Sequence, residues 1–196
     1  AYDYCLNLGG FANMSFEQNG QRMAYDICPV NVVLNHYSLK LGEEYDSGGA
    51  FAKAGTLQIS LLDQLNALDF YHQKAPKSLG MEWVNRNIFP ILDQIENIYD
   101  ILATYTEHVA LQIAKHLKEN KSLFITGGGT FNTHLLESLE KHTNAKIILP
   151  NSIIVENKEA LIFALLGVLR MRNQNNCLAS VTGADHDHCS GRIYLP

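Results

Sequence analysis

The dipeptide Asn19-Gly20 constrains the start of this chain more than any other feature. Asn-Gly readily supplies the two positive φ angles of a type I′ turn, whose twist suits an antiparallel hairpin. The runs on either side, Phe11 to Phe16 and Gln21 to Ile27, read as its two strands. A glycine pair, Gly9-Gly10, separates the first of them from another strand-like run, Tyr2 to Leu8. Three strands joined by tight turns are antiparallel neighbours.

Beyond these hairpins, helix and strand alternate. Pro29 ends the third strand, and Asn31 is placed to cap a helix over Val32 to Leu41. Gly42 to Gly55 is polar and reads as a loop; Thr56 to Tyr71 and Met81 to Asn87 read as helices, with a structured turn at Ala75 to Gly80. From Pro90, apolar residues recur at three and four positions as far as Leu117. The pattern predicts one long amphipathic helix, or two meeting near Tyr99. Ser122 to Thr126 is a short strand before three glycines, Phe131 to His142 a helix, Ala145 to Leu149 a buried-type strand, and Lys158 to Arg170 an apolar helix. Gly183 to Gly191 is a polar loop before a last short strand, Arg192 to Leu195. A hairpin meander feeding alternating helices and strands predicts a mixed α/β sheet covered by helices, its later strands parallel.

Composition removes several functions. With 46% hydrophobic and 18% charged residues in 196, the chain is neither disordered nor membrane-spanning, and its length fits one domain. A formal net charge of −5 without a basic cluster gives no electrostatic footprint for nucleic acid. Four scattered cysteines, Cys5, Cys28, Cys177 and Cys189, fit a reduced, cytoplasmic protein better than a disulfide scaffold and read as small core residues. No secretion signal is visible. Ala1 is not Met, and a strand-like run begins at once, so the chain reads as a piece of something longer.

Three glycine-marked or turn-marked corners are candidates for chemistry. Gly9 and Gly10 let backbone amides approach a phosphate with no Cβ in the way, or simply make a tight hairpin. Gly127-Gly128-Gly129, running on to Asn132, lies between strand and helix, where open α/β sheets take ligands. It matches neither G-x-G-x-x-G nor the P-loop pattern. Asp26, near a strand end facing Asn31, is placed either to hold magnesium through water or to shape a turn. His186-Asp187-His188-Cys189 reads as a solvated loop, because neighbouring residues converge poorly on one ion.

Taken in order, six motifs share a resemblance. They are Asn7-Leu8-Gly9-Gly10-Phe11-Ala12-Asn13; Tyr25-Asp26 with Pro29 and Asn31; Pro76-Lys77-Ser78-Leu79-Gly80-Met81-Glu82-Trp83; Thr126 to Asn132; Glu159 to Ala164; and Val181 to Ala184. Across essentially the whole chain this resembles the carboxy-terminal half of the anhydro-N-acetylmuramic acid kinases, in the wording of their Bacteroidetes branch. These are sugar kinases of the actin-like ATPase superfamily. The resemblance implies a ribonuclease H-like, actin-like domain over residues 1–196: a mixed sheet of three antiparallel and then parallel strands, helices on both faces, and a mainly helical insertion over 43–97. It implies ATP and Mg²⁺ as cofactors and 1,6-anhydro-N-acetylmuramic acid as substrate, opened by water and phosphorylated to N-acetylmuramic acid 6-phosphate in cell-wall recycling. Gly9 and Gly10 correspond to a phosphate loop, and Gly127, Gly128, Gly129 and Asn132 to the adenosine motif. Asp26 and Asn31 lie toward the terminal phosphates and magnesium, and Glu159 reaches toward the sugar.

Two family segments, Gly-Thr-Ser-x-Asp-Gly and the Asp-Phe-Arg that supplies a base, have no counterpart here. No catalytic residue and no direct metal ligand is therefore expected in this chain, which by itself would fold without kinase activity. The usual Phe-Asp-Thr-Gly-Pro-Gly-Asn reads Tyr25-Asp26-Ile27-Cys28-Pro29-Val30-Asn31, placing side chains where two glycines stood. The competing readings are a stand-alone, non-catalytic nucleotide-binding or interaction module, and an actin-like kinase for another substrate. A face left open by an absent amino-terminal domain could also support a homodimer.

Overall fold

A computed structural model describes residues 2–194. Among the described residues five strands form one mixed sheet: β1 (Tyr4–Leu8), β2 (Phe11–Gln18), β3 (Gln21–Pro29), β4 (Ser122–Thr126) and β5 (Lys146–Ile148), in the order β3-β2-β1-β4-β5. β2 is antiparallel to both its neighbours, whereas β1, β4 and β5 run parallel. This is the ribonuclease H-like, actin-like topology that the motif order implies. Asn19 and Gly20 both have positive φ, 52° and 76°, as a type I′ turn requires.

The helices described with the sheet are α1 (Asn31–Leu39), α2 (Ala50–Ala54), α3 (Ile59–Asn66), α4 (Met81–Asn87), α5 (Phe89–Leu92), α6 (Ile98–Ala114), α7 (Thr133–His142), α8 (Ser152–Met171) and α9 (Ala179–Thr182). Alternate residues Tyr4, Leu6 and Leu8 of β1, with Leu123 and Ile125 of β4, turn to one face. There they join Val33, Leu34 and Tyr37 of α1, Leu102, Tyr105 and Val109 of α6, and Leu135 and Leu139 of α7 in one core. The opposite face carries Cys5, Asn7, Phe124 and Thr126, and α8 lies over it. None of the residues of α8 is buried, and Leu161 and Phe163 are 66% and 70% exposed. No helix among the described residues is long and apolar enough to cross a membrane.

The long helical pattern divides near Tyr99 as expected: the break covers 93–97, because Asn97 caps α6 by accepting the Tyr99 amide (3.0 Å). Several other boundaries differ from the periodicity, each for a local reason. The polar stretch 42–55 contains α2, nucleated by Asp46, whose buried carboxylate accepts the amides of Phe51 and Ala52 at 2.8 and 2.9 Å. The helical reading of 56–71 divides into α3 and a 3-10 turn at Asp69–His72. Asn31 is the first residue of α1, not its side-chain cap; its amide side chain reaches back to the Leu8 carbonyl (3.5 Å). α8 starts at Ser152, six residues ahead of Lys158, because Asn151 accepts the Ile154 amide (3.0 Å). The stretch 192–194 is not a strand, and Leu195 lies outside the described residues. Of the four cysteines only Cys28 is a core residue; Cys5, Cys177 and Cys189 are half-buried.

The corner between β3 and α1 is held from behind. The buried Tyr105 hydroxyl donates to the Pro29 carbonyl at 2.9 Å. Tyr105→Phe is expected to leave that carbonyl buried without a partner and to cost about 1–3 kcal/mol. A fall in the urea midpoint at constant slope is the measurement that checks it. Next to it, His108 is fully buried between Asn66 (2.8 Å) and the Tyr71 hydroxyl (3.0 Å). Burial pushes its pKa down to about 3, so it is a neutral hydrogen-bonding strut between α6 and the segment 66–72.

Candidate functional site: a split crevice at the strand ends

The carboxyl ends of β1 and β4 open onto two adjoining cavities. The first holds about 380 Å³ and is walled by Asn31 and Asn35 of α1, by 45–48, and by Gly128, Gly129, Phe131 and Asn132. The second holds about 420 Å³ and is walled by Asn7, Gly9, Gly10, Asn13, Asp26, Gly127 and Gly128, with Glu156, Lys158 and Glu159 of α8 opposite. Gly128 belongs to both. All nine residues read as site residues thus reach the crevice. Gly9, Gly10, Asp26, Gly127 and Glu159 face the second cavity, whereas Gly129, Asn132 and Asn31 face the first.

The three successive glycines differ in why they are glycine. Gly127 has φ +92°, and a Cβ there would sit 2.6 Å from both the Asn7 side-chain oxygen and the Leu8 carbonyl. A Cβ on Gly129 would meet the Leu8 Cβ at 2.7 Å. Both are bare because β4 and the 3-10 turn at Gly128–Phe131 must pack against β1. Gly128 has no such constraint: the nearest atom to its Cβ position would be the Asn31 amide nitrogen at 3.9 Å. Its missing side chain leaves the shared mouth of the cavities open and serves no contact within the fold.

The other corners are similarly resolved. Gly10 packs directly on α1, where a Cβ would come within 2.9 Å of Val32. The amides of Val30 and Val32 donate to the Gly10 carbonyl (2.8 and 3.3 Å), and that of Asn31 to Gly9 (3.3 Å). Those amides at the start of α1 are therefore engaged by the turn. Cys28 and Val30, standing where the related pattern has glycines, are both fully buried in the core and line neither cavity. The Cys28 thiol is pushed far above the ordinary range by burial.

Asp26 owes its position to an irregularity invisible in the sequence. Ala12 pairs with Cys28 but Asn13 with Asp26, which leaves Ile27 as an extra residue, a β-bulge. The bulge breaks the alternation, so Ile27 and Cys28 both go into the core while Asp26 faces the crevice beside Asn13. One Asp26 oxygen accepts the Leu79 amide (2.8 Å) and its own amide donates to the Lys77 carbonyl (3.2 Å), so the motif at 76–80 buttresses it. Asn132 spends its side-chain oxygen capping α7 through the Leu135 amide (3.0 Å), leaving its NH₂ uncommitted. Thr133 donates to the Gly48 carbonyl (3.0 Å) and draws the 45–48 segment over the first cavity.

Sequence reasoning missed the aromatic pair Tyr45 and Phe131, which are 60% and 55% exposed in the walls of the first cavity, and it missed Lys158 in the second. Tyr45 lay in an apparent loop, and Lys158 in a segment whose strongest signal was apolar. In the tail, Asp187 accepts the Ala179 amide (2.7 Å), and among the described residues no three His, Cys, Asp or Glu side chains are placed to hold a metal.

Sheet order gives the domain its actin-like fold, and the two adjoining cavities open where the parallel strands end. Residues 2–196 match the family described as "Anhydro-N-acetylmuramic acid kinase", and the chain belongs to that family. It is 34% identical over 207 residues to the anhydro-N-acetylmuramic acid kinase of Saccharophagus degradans, across 99% of this chain and 56% of that protein. With that of Burkholderia orbicola it shares 32% over 206 residues, across 96% and 54%. The chain therefore spans about half the length of the curated relatives it matches. A solved structure, the activator of the 2-hydroxyisocaproyl-CoA dehydratase from Clostridium difficile with bound ADPNP, overlays 76% of this chain and 54% of that one, with 15% identity and a TM-score of 0.49.

Proposed function

We propose that this chain is the carboxy-terminal, nucleotide-binding half of a kinase for 1,6-anhydro-N-acetylmuramic acid. The reaction opens the anhydro bridge with water and transfers the γ-phosphoryl of ATP to O6, giving N-acetylmuramic acid 6-phosphate and ADP. The observation that carries this reading is Gly128. It is bare without a reason inside the fold, and it sits where a half-apolar cavity meets a polar one. A nucleoside polyphosphate has that division: a flat apolar base joined to a chain of charge.

In this reading the first cavity takes adenosine. Gly128 and Gly129 lie under the base and ribose, Tyr45 and Phe131 flank them, and Asn31, Asn35 and Asn132 supply polar edges. The second cavity takes the phosphates along the Gly9-Gly10 turn. Glu159, on α8 across that cavity, is the residue assigned to the sugar. Mg²⁺ keeps most of its water and needs only one or two carboxylates beside phosphate oxygens. The donors fit contact through that water: Asp26 has one oxygen free of the Leu79 amide and faces the phosphate cavity. When bound, the ion would neutralise phosphate charge; Asp26 is the residue that would hold it, through water.

Phosphoryl transfer is catalysed by positioning and by charge stabilisation around the moving group. These residues line one side of that group, and the base activating water is assigned to the part of the family's length that this chain does not span. The 196 residues are thus expected to bind Mg·ATP in calorimetry without turning over 1,6-anhydro-N-acetylmuramic acid. Absence of any heat with ATP or adenosine would remove the nucleotide reading, and turnover at a rate ordinary for kinases would refute the division of labour.

A further inference from the structure

Lys158 is out of place as a surface lysine. Among the described residues it is the only basic side chain lining the phosphate cavity, against three carboxylates, Asp26, Glu156 and Glu159. Its ammonium nitrogen hydrogen-bonds the Asn7 side-chain oxygen, at the end of β1, and reaches the Thr126 hydroxyl, at the end of β4, at 3.4 Å. No carboxylate among the described residues lies within ion-pair distance of it. An ammonium has three donors, and two are engaged here by neutral oxygens. A partly desolvated cation with neutral partners and a spare donor lacks the counter-charge that usually accompanies such a group. Consistent with that, desolvation lowers its pKa, although neighbouring Glu159 acts the other way.

We propose that Lys158, held by Asn7 and Thr126 at the ends of the two central parallel strands, is the cation that reads the phosphate chain of the bound nucleotide. This rests on the nucleotide reading of the same crevice and adds to it the group that sets its preference for charge. The glycine turn supplies room but no charge, and the amides at the start of α1 are taken by Gly9 and Gly10. Without Lys158 the cavity would offer a polyphosphate three carboxylates and no cation from the described residues. Lysine serves here as a point charge on a flexible stem, suited to successive phosphate groups along one cavity. Asn7 and Thr126 position it; they are not themselves the anion contacts.

The competing role is purely structural. Lys158 also fastens α8, which buries no residue of its own, to the sheet. Titration calorimetry of the full 196-residue chain with ATP, ADP and adenosine separates the two. Lys158→Met keeps the stem and removes the charge. It is expected to weaken ATP about tenfold to a hundredfold, ADP less, and adenosine by no more than about twofold. The parent's advantage for ATP over the variant should shrink as salt is raised, because the lost contact is a charge pair. Lys158→Arg should retain most of the ATP preference. Thr126→Val, which loosens the ammonium without removing its charge, should weaken ATP less than Lys158→Met does and leave adenosine unaffected.

Equal losses for adenosine and ATP in Lys158→Met would overturn the proposal in favour of the fastening role, as would a Thr126→Val chain that loses adenosine as much as ATP. Unchanged ATP affinity in Lys158→Met overturns it outright while leaving the nucleotide site standing. A parent chain that binds neither ATP nor adenosine removes the underlying nucleotide reading itself.

Discussion

Gly128→Val is expected to weaken nucleotide binding strongly while leaving the fold as stable as before. The Cβ position of Gly128 is open, with the nearest protein atom 3.9 Å away, so the substitution meets no wall of the protein. Its branched side chain would occupy the mouth shared by the two cavities, where base and phosphates must join. Filling that mouth should weaken ATP on the order of a hundredfold, equivalent to about 2.7 kcal/mol. Adenosine should suffer as much as ATP, in contrast to the charge-selective loss expected at Lys158. The milder Gly128→Ala should weaken binding less and raise the unfolding midpoint slightly, because an alanine has fewer unfolded conformations to lose. Calorimetry and urea unfolding on the same samples read the two effects separately. Identical heats for parent and Gly128→Val would mean that the glycine is bare for no ligand's sake, and the nucleotide assignment would lose its main support.

Gly127→Ala is expected to do the reverse and cripple the fold. Its φ of +92° is costly for any residue with a side chain, and its Cβ would press on the Leu8 carbonyl at 2.6 Å. Leu8 is the fully buried last residue of β1, paired to Ala12 of β2, so it cannot retreat without disturbing two strands. Strain and overpacking together should cost about 3 kcal/mol or more, a large share of a domain's stability. The urea midpoint should fall sharply or the protein should fail to accumulate. An unchanged midpoint would show that the turn relaxes freely, and the distinction drawn among the three glycines would fail with it. Neighbouring residues of one Gly-Gly-Gly run would thus separate a ligand constraint from a folding constraint.

Local elements were legible because their causes are local. The Asn19-Gly20 turn, α4 at Met81–Asn87 and β4 at Ser122–Thr126 lie where turn chemistry and periodicity place them. Helix starts set by one side chain, at Asp46 and Asn151, were harder to see, because a side-chain oxygen begins a helix only when a particular amide is presented to it. The candidate site was legible as an ordered set of motifs, and the nine residues read from them line two adjoining cavities, whose function remains a proposal.

By itself the sequence determined the class of fold, the order of its elements and the glycine-marked corners that line the crevice, since turn geometry, hydrophobic period and bare backbone are written in neighbouring residues. Only the tertiary structure decided which of three adjacent glycines has no packing constraint inside the fold, how a bulge at Ile27 turns Asp26 toward the crevice, and that Lys158 meets Asn7 across 151 positions of chain. Those depend on distances between segments far apart in sequence, which are set when the core packs and the strands take their register.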